Sequence, residues 1–138
     1  MIQRIQTVWL LLAGIFCTLQ LVFPMISVAE QPLSLFLPVV LMNIIGGGGL
    51  LFALLAIFLY KNRKKQLWWC YGLILLQILA YVCIGWFFHI LTRGIPVDDL
   101  KVRFYTFIFP AIAIIFVVLA IVAIRKDEKL IRSADRLR

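Results

Sequence analysis

The sequence predicts an all-α membrane protein, with four transmembrane helices in two hairpins and a C-terminal amphipathic cytoplasmic helix. Three observations predict it. First, 64% of the 138 residues are apolar and the mean hydropathy is +1.07, more than a water-facing surface carries. Second, the apolar residues gather into four runs, each about the 20 residues a helix needs to cross a hydrocarbon core roughly 30 Å thick. Third, Lys61-Asn62-Arg63-Lys64-Lys65 is the one strongly charged break between apolar runs, and it divides them two and two. Residues 1–138 therefore read as a single transmembrane domain, with no soluble domain left over for an active site.

The first span is expected over about 7–28, after an opening that carries the single cation Arg4. Ser27-Val28-Ala29 resembles a signal-peptide cleavage site. The run exceeds the roughly 7 to 15 residues of a signal-peptide apolar region, so the span is expected to be retained. Pro24 has no N–H to donate, so it is expected to kink or end this helix. A short polar connection around Glu30 and Pro32 turns the chain back into the second span, over about 35–60.

That second span holds Pro38, Asn43 and the run Gly46 to Gly49. Glycine costs about 1 kcal/mol each in an aqueous helix, but is tolerated in lipid where another helix packs closely on it. The preferred reading is a helix-packing face made of Gly46, Gly49, Ala53 and Ala56, with Gly49, Ala53 and Ala56 spaced i, i+4, i+7. Its rival is a hinged or broken helix lining a substrate path.

The third span is expected over about 67–91, with Trp68, Trp69 and Tyr71 at one boundary and Trp86, Phe87, Phe88 and His89 at the other. A connection carrying Arg93, Asp98, Asp99, Lys101 and Arg103 leads to the fourth span, over about 104–124, with Pro110 in its first turns. The tail, 125–138, has Leu130, Ile131, Ala134 and Leu137 on one helical face and a favourable i, i+4 pair in Glu128 and Arg132. It is expected to be helical, either continuing the fourth span or bending along the headgroups.

Orientation follows from the cations. Arg4, the four in the middle turn (Lys61, Arg63, Lys64, Lys65) and the six in the tail (Arg125, Lys126, Lys129, Arg132, Arg136, Arg138) make 11 of 14, against three on the other side. Short cation-rich loops stay cytoplasmic, so both termini are expected there. The ten cations of the middle turn and tail are the candidate contact residues for a partner or for lipid headgroups.

Charge in the middle of a span costs at least about 2.5 kcal/mol and marks function. No span has a charged residue at its centre, which argues against proton-coupled transport and charged-ring conduction. Gln20, Asn43 and Gln77 are polar residues inside the spans, and interhelical hydrogen bonds account for them. Cys17, Cys70 and Cys83 lie within apolar runs without CxxC spacing and read as packing residues. His89, Asp98 and Asp99 match no metal motif. No catalytic residue, metal or cofactor is expected, and the protein is not expected to be an enzyme.

The opening Met1-Ile-Gln-Arg-Ile-Gln-Thr-Val-Trp-Leu-Leu-Leu-Ala, the middle Ala56-Ile-Phe-Leu-Tyr-Lys-Asn-Arg-Lys and the close Ala123-Ile-Arg-Lys-Asp-Glu-Lys-Leu-Ile-Arg-Ser-Ala-Asp-Arg-Leu-Arg resemble the domain of unknown function 4293 family. The resemblance covers the whole chain, although the tetraglycine stands outside the pattern. It implies a small four-helix protein of the Bacteroidota inner membrane and brings no activity.

Patterned charge at both cytoplasmic ends, without chemistry inside the membrane, points to docking. The expected function is therefore an accessory or assembly subunit of a larger inner-membrane complex, in export, insertion or envelope biogenesis. Its expected partners are membrane lipid and other integral membrane subunits. No nucleic acid is expected, and a homo-oligomer is compatible with the sequence. The alternative is a small homo-oligomeric transporter or channel in which Asn43 and the glycines line a path.

Overall fold

The computed structural model describes residues 2–23, 33–91, 93 and 105–136. Helix α1 spans Ile2–Val22, α2 Leu33–Phe58, α3 Arg63–Leu91 and α4 Tyr105–Arg136, with a 3-10 turn, Leu59–Lys61, between α2 and α3. No strand occurs among the described residues. Each helix contains a stretch long and apolar enough to cross a membrane. A helix satisfies its backbone polar groups internally, as an apolar solvent requires. The outward faces are apolar, with residues such as Leu51 and Leu75 60% and 71% exposed.

α1 and α3 each pack on both α2 and α4, so the helices stand around one axis. Neighbouring helices run in opposite directions. Contacts from Trp9 to Phe116, Phe16 to Phe109 and Phe23 to Tyr105 climb α1 while descending α4. Phe52 meets Trp69 edge-on with ring centroids 4.8 Å apart, and Phe88 meets Phe107 at 5.4 Å.

The core has two apolar sections. One, nearer the basic residues, draws Leu10, Ala53, Leu73, Val117 and Ile124 from all four helices. The other joins Met42 and Ile45 of α2 to Ala80, Ile84 and Phe87 of α3. Between them lies a polar layer. The Gln77 side-chain amide donates to Cys17 Sγ at 3.0 Å, and Gln20 Nε2 donates to Gln77 Oε1 at 3.0 Å. Gln77 is fully buried and Gln20 is 4% exposed.

The glycines explain how α1 comes so close. A methyl group on Gly46 would stand 3.2 Å from the Cys17 carbonyl oxygen, and one on Gly49 would stand 2.8 Å from Cys17 Sγ and 3.2 Å from Gln77 Nε2. Ala53 and Ala56 continue the buried face, each 1% exposed. α2 is helical throughout the run, and no described glycine has a positive φ, so the helix is neither broken nor hinged there.

Several boundaries differ from the sequence expectation. α3 begins at Arg63 and not near Leu67, because the Asn62 carbonyl accepts the Gln66 N–H at 2.9 Å and starts the helix. Arg63, Lys64 and Lys65 are thus helical, and Asn62 alone separates the 3-10 turn from α3. α1 begins at Ile2 and α4 runs unbroken through residues 125–136. Asn43, expected inside, is exposed on the outer face of α2. Pro24, Glu30, Pro32, Asp98, Asp99, Lys101, Arg103, Leu137 and Arg138 lie outside the described residues.

Candidate docking site at the basic end

The site is built where the start of α1, the start of α3 and the far part of α4 meet. Gln6 of α1 is 5% exposed, and its amide donates to the Ala123 carbonyl at 3.3 Å. Gln66, one turn into α3, is 3% exposed. Arg63 Nη2 lies 2.9 Å from Asp127 Oδ2, and the two side chains are 22% and 13% exposed.

Asp127 is buried because it occupies the core-facing stripe of α4, continuing Val117, Ala120 and Ile124. A carboxylate at that position needs a partner, since an unpaired charge loses its water without compensation. Arg63 supplies the partner. The first turn of α3 carries three cations, which oppose the positive end of the helix dipole, and the Asp127 carboxylate beside it offsets them.

The other predicted cations fall into two sets. Arg125 Nη2 donates to the Tyr71 hydroxyl. Arg132 pairs with Glu128 at 2.7 Å, the i, i+4 contact expected from the sequence. Lys61, Lys64, Lys65, Lys126 and Lys129 are exposed and make no ion pair among the described residues. The Arg136 side chain and Arg138 lie outside the described residues. Arg125, Glu128, Lys129 and Arg132 line one shallow surface recess.

Beyond Asp127 the inward stripe of α4 loses its cover. Leu130 and Ile131 are 48% and 45% exposed, and Ala134 is exposed as well. The nine residues beyond Asp127, to Arg136, extend about 14 Å at 1.5 Å each. The result is a helical end with an exposed apolar stripe flanked by cations.

The remaining candidates are dispersed. Gly46 and Gly49 face α1, while Gly48 approaches Leu76 of α3. Asn43 points outward, so it and those glycines share no path. His89 is exposed near the far end of α3, and its suggested partners Asp98 and Asp99 are outside the described residues. Among the described residues no three or more His, Cys, Asp or Glu side chains gather as a metal site.

Sequence reasoning missed Asp127, Gln6, Gln66 and Tyr71 as parts of this end. The signal for Asp127 is its spacing, i+3 from Ile124 and i+7 from Ala120, which puts it on the core face of α4.

Four apolar helices long enough to cross a membrane, packed around one axis, define a small multi-pass membrane protein. Its basic end is tied together by an ion pair between α3 and α4 and a hydrogen bond between α1 and α4. The chain belongs to the domain of unknown function family DUF4293, whose model matches residues 2–137. No curated protein and no solved structure matches it.

Proposed function

We propose that this protein is an accessory or assembly subunit of a larger complex in a bacterial inner membrane, docked through the end of α4. In this reading the helices form two hairpins, with both termini and the Asn62 turn in the cytoplasm. The gathering of 11 of the 14 cations at those three places supports that orientation. The last turns of α4 act as the amphipathic cytoplasmic segment.

The observation that carries the proposal is the open continuation of the α4 core stripe. Leu130 and Ile131 are on the same side as buried Ile124 and Asp127, yet nothing described covers them. Two half-exposed aliphatic side chains become fully buried when a partner helix packs there, gaining about 25 cal/mol per Å² removed from water. Lys126, Lys129 and Arg132 around the stripe favour an acidic rim on the partner and steer its approach. Protein export, membrane-protein insertion and envelope biogenesis are the settings where a small subunit without its own chemistry fits.

Gentle-detergent affinity purification with mass spectrometry tests this, comparing the natural chain with Leu130→Ser/Ile131→Ser. The expected result is a discrete set of membrane proteins recovered with the natural chain and lost with the variant. Recovery of the same proteins by both, or of the protein alone, contradicts it.

A further inference from the structure

We propose that the outer face of α2 around Asn43 is a contact between two copies of this chain, related by a two-fold axis along the membrane normal.

The starting observation is where Asn43 stands. Gly48 of α2 approaches Leu76 of α3. Asn43, five residues farther along α2, therefore stands at about the depth of Tyr81, between Trp69 and Trp86 of α3. Those tryptophans suit the two membrane boundaries, so Asn43 lies within the apolar layer. Its side chain is exposed and makes no hydrogen bond among the described residues. A carboxamide is too short to reach a boundary from that depth, and hydrocarbon offers its two donors and its acceptor nothing.

The surrounding surface has the form of a helix contact. Val40, Asn43, Gly47, Leu50, Leu54 and Ile57 recur at alternating spacings of three and four, the repeat that keeps one face toward a partner helix. None of the six is buried. Beside Asn43, a methyl group on Gly47 would meet only Leu21 Cδ1, at 3.9 Å, so the glycine leaves a notch for a close backbone approach. Toward the basic end, Leu50, Leu54 and Ile57 form the α2 wall of an apolar groove with Gly14 of α1 at its floor.

The occupant follows from the chemistry of the amide. Copies inserted in the same orientation hold Asn43 at the same depth, and a two-fold axis brings like residue to like residue. Each carboxamide then donates to the other's oxygen and accepts from its nitrogen, so one residue type satisfies both sides. A different partner helix needs its own polar residue at that depth.

Oxidative cross-linking of the full chain in native membranes tests the contact, with cysteine placed at Leu54→Cys on the face and at Leu79→Cys on the outer face of α3. The expected result is a covalent dimer from Leu54→Cys and none from Leu79→Cys. Adding Asn43→Leu is expected to weaken association about 3- to 30-fold, the range for interhelical hydrogen bonds in lipid. Asn43→Leu puts an apolar side chain on an outward face, so unchanged helical content by circular dichroism accompanies the loss. Absence of the Leu54→Cys dimer, equal cross-linking at Leu79→Cys, or full cross-linking with Asn43→Leu overturns the proposal.

Discussion

Arg63, in the first turn of α3, holds the buried carboxylate of Asp127 near the end of α4 at 2.9 Å. The pair joins the first turn of α3 to the far part of α4, at the end of the bundle away from Leu91 and Tyr105. Removing Arg63 leaves a carboxylate with little water, a cost of about 1–3 kcal/mol for a buried group stripped of its partner. Arg63→Ala is therefore expected to destabilise the bundle by that order, and Asp127→Ala by less, because Arg63 can turn to solvent. The double variant is expected to cost less than the two singles summed. Denaturant unfolding in detergent, arranged as a double-mutant cycle, measures this, and strict additivity would refute the coupling.

Close approach of α1 and α2 rests on Gly49. In Gly49→Ala the new methyl would stand 2.8 Å from Cys17 Sγ, so the helices must separate or Cys17 must shift. Overpacking of this kind costs about 1–3 kcal/mol. Gly85→Ala is the control, since a methyl there meets nothing within 4 Å. Thermal unfolding in detergent should show Gly49→Ala melting well below the natural protein and Gly85→Ala unchanged or higher.

Gln77 serves two bonds and Gln20 one of them. Gln77→Leu removes both bonds and strands the Gln20 amide in an apolar core, whereas Gln20→Leu removes one bond, leaving Gln77 Oε1 without its donor while Gln77 Nε2 keeps Cys17. Interhelical hydrogen bonds in membranes are worth about 0.6–2 kcal/mol. Gln77→Leu is expected to lose more stability than Gln20→Leu, and adding Gln20→Leu to Gln77→Leu should recover part of the loss. Equal losses from the two single variants would contradict this arrangement.

The bundle was legible in the sequence because crossing a membrane leaves few choices: four long apolar runs separated by charge become four helices. Facing was much less legible. Almost every position in α2 is apolar, so no polar face remains to tell inward from outward, and Asn43 was misread as interior while Gln20 and Gln77 were read correctly. Helix starts were missed for a different reason. Lys64 and Lys65 are poor residues for a helix N-terminus, and only the capping position of Asn62 and the distant Asp127 make α3 begin there. At the docking end the cations were visible from composition, but the buried role of Asp127 required placing residues 125–136 in line with the fourth span.

The docking reading is tested most directly by a photo-reactive amino acid at position 131, in the open stripe of α4, with position 122 on its exposed membrane-facing side as the control. Irradiation in native membranes should give a discrete protein adduct from position 131, lost when Leu130→Ser is added, and none of that mass from position 122. No protein adduct at position 131, or the same adduct from both positions, would contradict docking through the end of α4.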